Sequence, residues 1–134
     1  MNSWHKAAEE ADFDTYFGLM TSDAVFVGSD ATEVWSFSEF KAFSKPYFDA
    51  GKAWTFKPVN RNIYISKDQK IAWFDEVLNS DHMGLCRGSG VLIQKEGEWK
   101  IKHFVLSLTV PNSLVDYLVK QKSKLDNEYL ESQP

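Results

Sequence analysis

The sequence predicts one α+β domain over residues 1–134, with helices first, then an antiparallel sheet, then a closing helix. Three observations predict it. Apolar residues recur every three or four positions over residues 3–20, as on one face of an amphipathic helix. From residue 54 the period drops to two, and four alternating runs separated by polar turns follow, as consecutive hairpins require. The 134 residues are 43% apolar and 15% aromatic, enough for one independent core that takes roughly two-thirds of the unfolded surface out of water.

The elements follow in chain order. Trp4, Ala7, Ala8, Ala11, Phe13, Tyr16, Phe17 and Met20 form the stripe of the first helix, predicted as one continuous element. A polar Thr21-Ser22-Asp23 turn leads to Ala24-Val25-Phe26-Val27-Gly28, short and apolar like a buried strand. Ser36 and Glu39 have the spacing of a capping box, with Phe37, Phe40 and Phe43 behind them, so a second helix starts there; Pro46 limits its regularity and Gly51 ends it. Strands are predicted over 55–66, 71–79, 85–95 and 99–110, the last pair joined by Glu96-Gly97, a dipeptide suited to a tight hairpin turn. Pro111 stops the sheet. Ser113 and Asp116 then offer a cap for a C-terminal helix, predicted to fray from Asp126 onward.

Composition narrows the partners. A net charge of −4 without basic clusters lacks the concentrated Lys and Arg that release counterions from a nucleic acid, so none is expected. The lone Cys86 has no intramolecular disulfide partner and no Cys/His spacing suits zinc, so neither a structural metal nor a cofactor is expected. No run approaches the ~20 apolar residues of a membrane span, and residues 1–10 contain no signal-like apolar stretch. The expectation is a protein off the membrane, in the cytoplasm as the sequence reads, or secreted or periplasmic if a signal has been removed.

The order helix, short strand, helix, four-strand meander resembles the nuclear transport factor 2-like superfamily, and the wording is similar to its SnoaL-like branch. The likeness is carried by Asp23 to Gly28, Ala72-Trp73-Phe74-Asp75-Glu76, Cys86 to Leu92, Trp99-Lys100-Ile101-Lys102-His103 and Val110-Pro111-Asn112. It implies a ketosteroid isomerase-like cone fold, frequent homodimers, and functions ranging from isomerases, cyclases and dehydratases to binding modules without catalysis. Fold alone does not choose among these.

Register proposes the lining of the cone. Pairing Lys95 with Glu98 across the tight turn puts Trp99, Ile101, His103, Val105 and Ser107 on one face, beside Leu92, Gly90 and Gly88. Pairing Glu76 with Arg87, a favourable cross-strand charge pair, adds Trp73 and Asp75 to that face and leaves Arg87 outside. Val91, Ile93, Phe104, Leu106 and Leu108 would then form an outer apolar patch, which predicts a homodimer through the outer sheet face.

On this register Asp75 is a candidate general base with His103 as its acid partner, the role a carboxylate takes in the isomerases the chain resembles. Each also has a plain reading, Asp75 as a hydrogen-bond acceptor and His103 as a satisfied interior histidine. Trp35, Trp54, Trp73, Trp99 and Ile101 are candidate pocket walls or simply core, and Ser107 falls near the mouth. Tyr16 lies late in the first helix, where the resemblance implies a phenol that donates to an oxyanion. One acid and one histidine do not complete an isomerase or cyclase site, which needs a base and oxyanion donors converging on one atom. The leading expectation is therefore a module that binds a small apolar or aromatic molecule. An isomerase, cyclase or dehydratase using Asp75 and His103 is the first alternative, and a dimeric assembly module without ligand the second.

Overall fold

The computed structural model describes residues 1–134. The elements run α1 (Asn2–Glu9), α2 (Phe13–Gly18), β1 (Met20–Val27), β2 (Val34–Ser36), α3 (Phe37–Asp49), β3 (Lys57–Ile65), β4 (Ile71–Ser80), β5 (Gly84–Lys95), β6 (Glu98–Leu108), a 3-10 turn at Asn112–Leu114, and α4 (Val115–Ser132). The six strands form one sheet in the order β2-β1-β6-β5-β4-β3. Every pairing is antiparallel except β1 with β6. The predicted α+β class and meander are thus present, with β1 and β2 extending the sheet beyond them.

The first helix is broken in two. Ala11 adopts a left-handed φ of 53°, and the Asp12 side chain accepts a hydrogen bond from Thr15 N at 3.2 Å, capping α2. An Asx cap inside an apolar stripe outweighs the continuity of that stripe. The Ser36–Glu39 box does cap α3, both reciprocal bonds being present, and α3 runs through Pro46 to Asp49 before Gly51 turns at φ 70°. At the other end α4 has no side-chain cap from Ser113 and continues to Ser132 rather than fraying at Asp126.

Helices α1–α3 lie on one face of the sheet and fill it with rings. Trp4 stacks on Tyr16 at 4.7 Å, Phe26 on Phe40 at 4.0 Å, and Trp4 meets Phe104 edge-on at 4.8 Å. Each fully buried aromatic contributes roughly 1.5–3 kcal/mol by leaving water, so this cluster holds the helices to the strands. The inner, concave face carries Ala72, Phe74, Glu76 and Leu78 of β4 and Ile101, Phe104 and Leu106 of β6, all buried.

Two details of register overturn the predicted faces. The tight turn does pair Lys95 with Glu98, but between Leu92–Ile101 and Val91–His103 the ladder skips Lys102. This bulge inserts one residue and exchanges inside for outside beyond it. Phe104 and Leu106 therefore point inward, while His103, Val105 and Ser107 lie on the convex face. Gly90 marks the site of closest approach: a Cβ there would collide with the carbonyl oxygen of His103. The second detail is the β4–β5 hairpin, in which Glu76 faces Gly88 and Arg87 faces Val77. A slip of one residue from the predicted pairing puts Trp73 and Asp75 on the convex face as well. Arg87 is outside as predicted, without Glu76 as its partner.

Candidate functional site

A cavity of about 160 Å³ lies where α3, β1 and the 51–56 segment meet the ends of β4–β6. Its walls are mainly rings: Phe26, Trp35, Phe40, Phe43, Trp54 and Phe56, with Met83 and Leu106. The capping box places Phe40 and Phe43 one turn apart on the face of α3 that meets the strands. Trp35 stacks on Phe43 at 4.9 Å and Phe40 on Trp54 at 5.8 Å, so the walls brace one another. Polar groups are few. Glu33 reaches the lining beside Gly28, its carboxylate accepting a hydrogen bond from Asp30 N at 3.0 Å. His82, on the β4–β5 turn, sits 3.2 Å from the Ser80 hydroxyl.

The densest ionisable cluster is elsewhere, behind the aromatic core. Glu76 is completely buried; its Oε1 lies 2.7 Å from His5 Nε2, and its Oε2 accepts from Arg61 Nε at 2.7 Å. Arg61 Nη1 in turn donates to Asn2 Oδ1 at 2.6 Å. Burial by itself would raise the Glu76 carboxyl; the His5 hydrogen bond and charge, with those of Arg61, outweigh it and hold the group below its ordinary value. Neither Glu76 nor His5 nor Arg61 lines the aromatic cavity. Gly88 leaves the space that the Glu76 side chain and the Phe104 ring occupy. The cluster ties α1 to β3 and β4, a positioning role in the fold.

The residues singled out in the sequence are dispersed. Trp35 lines the cavity, as does Trp54. Tyr16 is buried behind Phe40 and Trp54. Its hydroxyl has no hydrogen-bond partner, Trp54 approaching without completing one, and burial pushes the phenol well above its ordinary value. Ile101 is core, and Trp99 borders a separate hollow with Thr15 and Leu19. Trp73, Asp75, His103 and Ser107 are on the convex face. Asp75 accepts a hydrogen bond from Asn62 at 2.9 Å. It is separated from His103 by the intervening β5, hence by about 9–10 Å at least, two strand spacings. No hydrogen bond joins the two side chains, and Asp75 is engaged by Asn62 on the opposite strand.

Phe26, Phe40, Phe43, Phe56, Met83, Leu106, Glu33 and His82, with Gly28 and Ser29, line the cavity without a sequence signal that by itself assigns them to it. Leu106 was hidden by the bulge. The Ala53-Trp54-Thr55-Phe56 run, irregular rather than a strand start, gave the one available signal for Phe56. Chemically the cavity offers apolar and π surface with one carboxylate, one imidazole and one hydroxyl, from Glu33, His82 and Ser29. Cys86 adds no nucleophile, since it is buried and burial raises its thiol. No group of three or more His, Cys, Asp or Glu side chains is disposed to share a metal.

Comparison with known proteins agrees with this architecture. The family model described as SnoaL-like domain matches residues 1–111. Solved structures share the fold: an NTF2-like protein of unknown function from Pseudomonas putida KT2440 superposes with a TM-score of 0.67 at 13% identity, covering 83% of this chain and 82% of that one. A protein of the NTF2-like family from Streptomyces avermitilis, provisionally assigned as a dehydratase, gives 0.68 at 18% identity, with 82% and 91% covered. The association domain of C. elegans CaMKII gives 0.62 at 22% identity, with 79% and 88% covered. No curated protein matches in sequence. Helix α4 lies beyond the matched segment, and the chain up to residue 111 belongs to the SnoaL-like family, within the nuclear transport factor 2-like superfamily.

Proposed function

We propose that this SnoaL-like domain binds a small, predominantly apolar molecule in the cavity at the mouth of its cone, without chemistry on it. The observation that carries this reading is six aromatic side chains around one void, set apart from the one buried acid–histidine pair. Size restricts the occupant. A cavity of about 150 Å³ holds a benzene-sized molecule, whereas sites for drug-sized ligands run to about 300–1,000 Å³. At about 160 Å³ and open on one side the cavity holds one ring or one compact head group, and the remainder of any larger ligand would lie outside it. Leu106→Trp fills it. Titration of single-ring and compact probes against the parent and this variant, followed by calorimetry, tests the reading: binding lost on filling supports it, and equal behaviour of both proteins counts against it.

A second reading, assembly through the convex sheet face, is favoured by Tyr64 and Trp73. They stack at 5.9 Å and stay 46% and 48% exposed, with half-buried Val91 opposite Trp73 on β5. Rings kept on an outer face are a loss unless something covers them, and an isologous contact with a second copy would do so. The name of the CaMKII association domain fits such a role. The acid–base alternative has less support, because Asp75 and His103 lie on the convex face with a strand between them.

A further inference from the structure

We infer that the occupant of the aromatic cavity is a cation, specifically a compact methylated ammonium group; this rests on the reading of that cavity as a ligand site. Ring faces carry negative quadrupole potential and attract a cation within about 6 Å of the centroid, more strongly when water is excluded. The cavity presents Trp35, Phe40, Phe43, Trp54 and Phe56 together with the Glu33 carboxylate, and no Lys or Arg is among its lining residues. The chain's own cation–π contacts are spent elsewhere, Lys41 and Lys45 covering Phe13 and Phe37. No cation of the chain itself thus lies over a cavity ring; Phe40 is stacked on both Phe26 and Trp54, so the faces left for an external cation are those of Trp35, Phe43, Trp54 and Phe56 that these stacks do not cover.

Hydrogen bonding decides which kind. A primary ammonium carries three donors and needs acceptors for them, but the walls are mostly hydrocarbon and one Glu33 oxygen is already taken by Asp30 N. A trimethylammonium group carries no N–H donor and spreads its charge over methyl surface, which the rings can cover without leaving a donor unpaired. Its bulk is comparable to a single ring, which the volume admits. An anion is disfavoured on the same grounds, since Glu33 would repel it and the lining holds no Lys or Arg to receive it, only the His82 imidazole, whose Nδ1 is engaged with Ser80.

The test compares choline with 3,3-dimethylbutan-1-ol, its uncharged carbon isostere, by calorimetry on the full chain at pH 8 and low salt. Choline is expected to bind about tenfold more tightly than the isostere, the difference that cation–π and carboxylate attraction confer. Glu33→Gln, which keeps the acceptor for Asp30 N, should weaken choline several-fold and leave the isostere unchanged. Equal affinity for the two probes would overturn the cation inference while leaving an apolar ligand site standing. Binding of neither, with single-ring neutral probes also silent, would overturn both. Should Glu33→Gln fail to fold, the comparison of the two probes on the parent protein decides the question alone.

Discussion

His5 Nε2 lies 2.7 Å from Glu76 Oε1, joining the first helix to the middle of β4 in a place no water reaches. Arg61 holds the other carboxylate oxygen from the neighbouring strand. Removing one partner of such a buried group strands the others, which costs about 3–5 kcal/mol. Glu76→Gln is therefore expected to lower the melting temperature by roughly 10 °C at pH 7.

The pH dependence of that loss has a definite sign. The folded Glu76 carboxyl titrates below its ordinary value of 4.5, so its contribution is complete above that value and disappears as pH falls through the lower, folded one. The gap between parent and Glu76→Gln should be widest near neutrality and should narrow progressively as pH falls below 4.5. Calorimetric scans of both proteins from pH 3 to 7 measure it, and a gap that widened on acidification would refute the assignment.

Tyr16 predicts a gain. Its hydroxyl is buried without a partner, and an unpaired buried hydroxyl costs about 1–3 kcal/mol. Tyr16→Phe should then leave stability unchanged or raise it by about 1 kcal/mol in urea unfolding. A clear destabilisation would mean that the phenol is satisfied after all.

Two glycines should respond in opposite directions. At Gly90 an added Cβ meets the backbone of His103, whereas at Gly18, at the end of α2, it meets nothing. Gly90→Ala is expected to destabilise by about 3 kcal/mol or more, since backbone cannot yield as a side chain can. Gly18→Ala should be neutral or stabilising by up to about 1 kcal/mol. Comparable effects at both positions would argue against the close strand approach at the bulge.

That bulge also explains how much of the molecule was legible in sequence. Periodicity and capping chemistry were enough for the meander, the start of α3 and the Lys95–Glu98 turn, because each is set by neighbours along the chain. The faces of β4 and β6 were not, because they depend on one extra residue at Lys102 and on a hairpin one residue out of the assumed register. Lys102 pairs with Asp23 on β1, the neighbouring strand, a tertiary contact that no local pattern announces. Each such slip exchanges the two faces of its strand. The bulge puts His103 outside and Leu106 inside, the hairpin slip puts Trp73 and Asp75 outside, and of the aromatic walls the sequence proposes only Trp35 and Trp54 border the cavity. Asp12, capping α2, is a local signal masked by the apolar stripe that continues past it.

The convex face yields a prediction of assembly. If Tyr64 and Trp73 are covered by a second copy, light scattering at micromolar concentration should give twice the chain mass, and Trp73→Glu should reduce it to one. A monomeric parent protein would dismiss that contact without touching the cavity.

The central claim, a ligand cavity walled by Trp35 and Trp54, is tested most directly by the indole N–H resonances of the five tryptophans in a nitrogen-15 NMR titration with choline and with single-ring neutral probes. Saturable shifts of Trp35 and Trp54, with Trp73 unmoved on the opposite face, are the predicted result. Indole resonances unchanged by every probe, or a response confined to Trp73, would contradict it.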